Sequence, residues 1–255
     1  MMNRKFLAIS GVLLMLLSIL PAFNIVRELW IDHTLVNRYE IEDALLDVDN
    51  EHDHHFVPEF TLNNQTITFK EERTGKIAPR THWDKTEHVK GGEIVKLHIL
   101  INHQEVTNPN KIWLSNYDRG LRYFYWVGVA VVKDLKSKTS EIKIVQRLTG
   151  DNEEVSNSKW KVITIHQDNR ITEEKFSYKH RGKYALDVGV INFTNTNNSF
   201  KQLSYHSDIL KGDGYPSLIG FIFFPLIYPF GTLLYSIVAL IIALFMRRKG
   251  NNLQM

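Results

Sequence analysis

Residues 51 to 55 read EHDHH, three histidines and two acids in five positions. Imidazole and carboxylate together suit zinc, copper or nickel. In an extended chain successive side chains alternate, so His52 and His54 share one face while Asp53 and His55 share the other. Seven acids between residues 40 and 53 surround this cluster and favour a solvated segment. The segment reads first as an acidic linker. Divalent-metal binding by His52, His54, His55 and Asp53 is the alternative, and neighbouring carboxylates would also make the imidazoles responsive to mild acid.

Other spacings carry less. Asp47, Asp49, Glu51 and Asp53 recur at every second residue, as in the start of a calcium loop. Such a loop needs glycine where His52 stands and glutamate where Pro58 stands, so it is rejected. His82 and His88 in THWDKTEH match no strong metal spacing and read as a polar loop. His98 alternates with apolar neighbours and reads as the exposed face of a strand. No nucleophile elbow, phosphate loop, dinucleotide fingerprint or His-Glu-x-x-His pair is present. The stretch IWLSNYDRGLRYFYW, residues 112 to 126, is rich in aromatics. Most of these belong to strands and a core, but Trp113, Tyr117 and Arg119 have the composition of a protein-contact hot spot.

The elements that would position these groups begin at the two ends. Residues 6 to 23 carry no charge and follow Arg4 and Lys5. They read as an uncleaved transmembrane anchor, with a cleaved signal peptide as the alternative, because Leu20-Pro21-Ala22 makes a poor cleavage site. Residues 217 to 246 are uncharged throughout and too long to cross a bilayer upright, and Pro225, Pro229 and Gly231 divide them. The expected transmembrane helix is 226 to 246. Arg247, Arg248 and Lys249 then place residues 247 to 255 in the cytoplasm, as Arg4 and Lys5 place residues 1 to 5 there.

Composition narrows the rest. The chain has 255 residues, no cysteine and a net charge of +3. Without the five flanking cations, 26 basic residues face 28 acidic ones, a balance that argues against a nucleic-acid-binding surface. The lack of cysteine excludes disulfides and thiolate chemistry. Sequons at Asn64, Asn192 and Asn197 matter only in a glycosylating pathway.

Residues 24 to 59 are expected to hold a juxtamembrane helix and the acidic histidine linker. From residue 60 to 210 the apolar period becomes two. FTLNNQTITF reads as a hairpin turning at Asn63-Asn64. EIVKLHILIN, RYFYWVGVAVV, EIKIVQRL, KWKVITIHQ, ITEEKFSYK, KYALDVGVINF and FKQLSYH read as strands separated by polar turns. The fold class expected is an all-β antiparallel sandwich between two transmembrane helices.

One stretch resembles a known family. In His180-Arg181-Gly182-Lys183-Tyr184-Ala185-Leu186, the glycine and tyrosine keep the places they hold where strand F opens in immunoglobulin-like domains. His180 replaces that family's Asp, and Leu186 its Cys. The resemblance covers about residues 90 to 207. It implies a tyrosine corner at Gly182 and Tyr184 together with adhesive or structural uses, and it brings no catalytic residue. The expected function is that of a non-enzymatic two-pass membrane protein. Its extracytoplasmic domain would serve assembly or binding, with the lipid bilayer and a membrane-protein partner, and with no cofactor unless the 51 to 55 cluster takes a metal. An enzyme with a site dispersed over several strands is the remaining expectation.

Overall fold

The computed structural model describes residues 4–44, 59–80, 90–114, 122–123, 125–150, 153–197, 202–206 and 226–251. Two compact units divide the chain: a helical one built from residues up to Asp32 and from His206 onward, and a β-rich one over His33–Tyr205.

In the helical unit, α1 (Arg4–Arg38) runs unbroken through the first apolar block and the expected juxtamembrane segment, with Pro21 inside it. At about 1.5 Å per residue it is roughly 52 Å long. The last helix, Thr232–Asn251, follows a kinked turn at Leu226–Gly231, broken at Tyr228. Two segments are long and apolar enough to cross a membrane, one within Lys5–Arg38 and the other Leu226–Met246, the second matching the span read from sequence. The two helices pack antiparallel. Leu7 meets Ala239 and Ala243, Ser18 Oγ lies 2.7 Å from Thr232 Oγ1, and the Tyr228 hydroxyl donates to Leu17 O at 2.9 Å. Small residues line the seam and let the two helix backbones approach closely. A Cβ on Gly11 would lie 3.0 Å from Leu240 Cγ.

The β unit holds two antiparallel sheets. One, in the order β1-β7-β8-β9-β10, is made of Tyr39–Asp43, Val127–Asp134, Thr139–Arg147, Lys159–Ile165 and Ile171–Ser177. The other contains β2 (Glu59–Leu62), β3 (Gln65–Ile77), β4 (Glu93–Ile101), β5 (Gln104–Glu105) and β6 (Asn110–Trp113), with β5 and β6 both pairing with β4. Ile67, Val95, Leu97, Ile99 and Ile112 from the second sheet share one buried cluster with Val129, Ile142, Ile144, Ile163 and Ile165 from the first. That shared core makes the unit sandwich-like. β1 joins its sheet at the end of α1, where Arg38 grips Asp134 Oδ2 from Nε at 3.1 Å and Nη2 at 2.7 Å. The Arg38 bond, with backbone N–H groups of Ser137 and Lys136 assisting, holds the Asp134 carboxyl well below the usual carboxylate range.

Three expectations require correction. KYALDVGVINF is not a strand: Tyr178–Lys183 form a 3-10 turn and Ala185–Phe193 form α2. In a strand Asp187 and Val188 would point to opposite faces, whereas in the helix both are buried together with Val190 and Ile191. Asp187 then meets Lys143 beneath the helix. FKQLSYH likewise forms no strand within its described residues, 202–206. The immunoglobulin likeness does not extend to topology. That family sends its chain between the sheets by Greek-key connections, whereas here β2 to β6 build one sheet and β7 to β10 follow one another across the other, joined by β1. Tyr184 opens no strand. Its ring stacks on Phe176 at 4.5 Å, and Gly182 lies in the 3-10 turn before it, so the corner geometry is not formed.

The helix α2 covers the outer face of the first sheet. Gly128 allows this approach, because a Cβ there would collide with the Thr194 side chain. Trp160 fills the same layer, its Nε1 donating to Thr196 O at 3.0 Å.

Candidate functional site

Of the residues singled out in the sequence, His52, Asp53, His54 and His55 lie outside the described residues, as do Tyr117, Arg119, His82 and His88. Among the described residues, no group of three or more His, Asp or Glu side chains could hold a metal ion. Trp113 is half-buried at the core margin, its ring 5.5 Å from Trp126, with Gly150 leaving room for the indole. His98 is held by carboxylates on both sides, Nδ1 at 2.7 Å from Glu105 and Nε2 at 3.3 Å from Glu72.

A cleft that the sequence did not reveal opens at one end of the sandwich. It measures about 520 Å³ and is walled by Asn63, Asn64 and Gln65 from one sheet and by Lys133, Ser140, His166, Gln167 and Asn169 from the other, with the buried Ile142 and Ile165 at its floor. Both asparagines of the β2–β3 turn have positive φ, 48° and 62°, and so does Asn169, at 63°. Asparagine tolerates this left-handed conformation better than most residues, which explains why amides gather at these turns. A chain of amides then ties the sheets together. Asn102 Nδ2 donates to Gln65 Oε1 at 2.6 Å, and Gln65 Nε2 donates to Asn169 Oδ1 at 2.8 Å. The side chains of Asn63, Asn64, Gln167 and Ser140 make no hydrogen bond to any of the described residues.

The ionisable groups on the wall are already paired. Lys133 Nζ contacts Glu42 and lies 3.6 Å from Glu40; the Glu42 bond raises its pKa. His166 Nδ1 is 2.6 Å from Glu141 Oε1, and its Nε2 is 3.0 Å from Thr172 Oγ1. Carboxylate, imidazole and hydroxyl in line have the connectivity of an acyl-transfer relay. Thr172, however, does not line the cleft, and the three residues strap β8, β9 and β10 together.

Two further lysines are buried. Lys143 Nζ bonds Asp187 Oδ1 at 2.8 Å and Thr164 Oγ1 at 3.1 Å under α2. Lys161, fully buried between the sheets, donates to Thr107 Oγ1 at 3.0 Å and Asn108 O at 3.2 Å. Burial pulls its pKa down to about 8, against the opposing pull of Glu173. At the sheet margin Arg122 chelates Glu71 at 2.5 and 2.7 Å, and Tyr123 donates to Glu71 at 2.6 Å. The Arg122 bonds lower the Glu71 pKa despite burial.

The sequons separate by burial. Asn192 Nδ2 donates to Leu203 O at 2.9 Å, and its Oδ1 accepts from Leu203 N at 2.6 Å. Asn197 is 2% exposed, whereas Asn64 is exposed on the cleft rim. A glycan on Asn192 or Asn197 is incompatible with the folded unit.

No family model, curated protein or solved structure matches the chain.

Proposed function

We propose that the chain is a non-enzymatic, two-pass membrane protein with both ends in the cytoplasm, presenting its sandwich outside as a binding or assembly domain within an envelope complex. The observation that carries this is the surface of the helical pair. Phe6, Ile9, Leu16, Leu20 and Phe23 on α1, and Leu234, Ile241, Leu244 and Phe245 on the last helix, are all exposed. At roughly 25 cal/mol per Å² such a surface is costly in water and at home in hydrocarbon. The antiparallel pairing of the helices supports a return to the starting side, and the flanking basic residues at 4–5 and 247–249 agree with a cytoplasmic placement.

The cysteine-free sequence makes a direct test simple. Single variants Lys136→Cys, in the β7–β8 turn, and Asn251→Cys, near the C-terminus, are treated with a membrane-impermeant maleimide. Labelling of the first in intact cells, and of the second only after permeabilisation, is the expected result; the reverse pattern ends the topology. The assembly role is read by extraction in mild detergent, where a stoichiometric membrane-protein companion is expected and a chain recovered alone counts against it.

A further inference from the structure

The amide-rich cleft has no role in tethering the domain, and its chemistry is selective. Its two ionisable wall residues are engaged by carboxylates, Lys133 by Glu42 and Glu40 and His166 by Glu141, so neither offers an uncompensated charge to a ligand. The polar groups left uncommitted are neutral: the amides of Asn63, Asn64 and Gln167 and the hydroxyl of Ser140. From these observations we propose that the cleft binds a neutral saccharide.

The match is one of hydrogen-bond grammar. Each side-chain amide presents a donor and an acceptor side by side. Neighbouring hydroxyls on a sugar ring each donate and accept, so they can satisfy such a pair. A peptide group offers its donor and acceptor on opposite sides, and an anionic group, which only accepts, would leave the amide carbonyls without a donor. Ile142 and Ile165, both buried in the core, close the floor of the cleft. A volume of about 520 Å³ lies within the small-ligand range of about 300–1,000 Å³. The walls are set in advance: the Asn63-Asn64 turn is fixed in the left-handed region, and the Asn102–Gln65–Asn169 chain clamps one sheet to the other. Little ordering is then left for the ligand to impose.

The inference deepens the binding role proposed above and rests on it for the side of the membrane at which the sugar is met. Sugar binding is measured without reference to topology, so the two fail separately. The experiment is saturation-transfer NMR on the full chain in lipid nanodiscs, avoiding maltoside detergents. The probes are maltose, cellobiose, lactose and chitobiose, with sialyllactose and a neutral tetrapeptide as competitors. The variant combines Asn63→Gly, Asn64→Gly and Gln167→Ala, since glycine keeps the positive φ of the turn while removing the amides.

Transfer to at least one neutral disaccharide, with affinity about tenfold lower in the variant and unchanged unfolding, is the expected result. The same sugar free or carried on a neutral glycolipid in the disc distinguishes a soluble source from a membrane-borne one, and binding to either upholds the proposal. No transfer to any neutral sugar at millimolar concentration, equal transfer in the variant, or preference for the sialylated or peptide probe overturns it.

Discussion

Lys161 shows how far a residue's surroundings can depart from its type. It alternates with apolar neighbours in KWKVITI and so resembles the wet side of a strand, yet it is fully buried. Lowering its pKa to about 8 has a definite sign. Above about pH 10.5 the group is neutral in both folded and unfolded chains and costs nothing. As pH falls from there to about 8, the unfolded chain takes up a proton that the folded chain refuses, so stability declines; below 8 the full cost remains. Urea unfolding of the full chain in detergent should therefore show wild type gaining stability between pH 8 and 10 relative to Lys161→Met. Parallel pH profiles for the two proteins would contradict this assignment.

Among the elements, α2 depends most on a single close approach. Gly128→Ala in β7 would press a methyl into Thr194, at an overpacking cost of about 1–3 kcal/mol. Adding Thr194→Gly removes the three atoms nearest the methyl and should restore part of the loss, measured as urea midpoints; an unchanged midpoint for Gly128→Ala would show that α2 does not press on this strand. The same helix marks where the sequence stops being readable. Val188 and Val190 alternate as strand residues do, and the helical placement is selected by Asp187 reaching Lys143, a contact 44 residues away in sequence. β3, β4, β8 and β9 were legible because one face of each strand meets the other sheet. β1 was not, since YEIED is short, charged and joined to α1 without a breaker. Lys143, Gln146, Arg147 and Lys161 were misleading for a common reason: the sheet is covered on both faces, so polar alternation no longer reports solvent. The cleft was hidden differently. Asn63-Asn64 read correctly as a turn, but only tertiary packing brings it to Gln167 and Asn169.

At the scale of the whole molecule, the core of the sandwich can be taken by itself. The buried members of its main cluster lie between residues 67 and 165. Folding of the sandwich should then need neither apolar helix. A fragment spanning His33–Tyr205 is expected to be soluble without detergent and to unfold in one cooperative transition, with a urea slope of about 1–3 kcal/mol per molar. The fragment keeps Arg38 and Asp134, the pair that fastens β1 to β7, so the edge of the first sheet should remain closed. Cooperative unfolding detected alike by tryptophan fluorescence, which Trp113, Trp126 and Trp160 report from the core and its margin, and by far-ultraviolet circular dichroism would establish that independence. An aggregated fragment, or one whose two signals change at different urea concentrations, would mean that the sandwich relies on the helical unit for its stability.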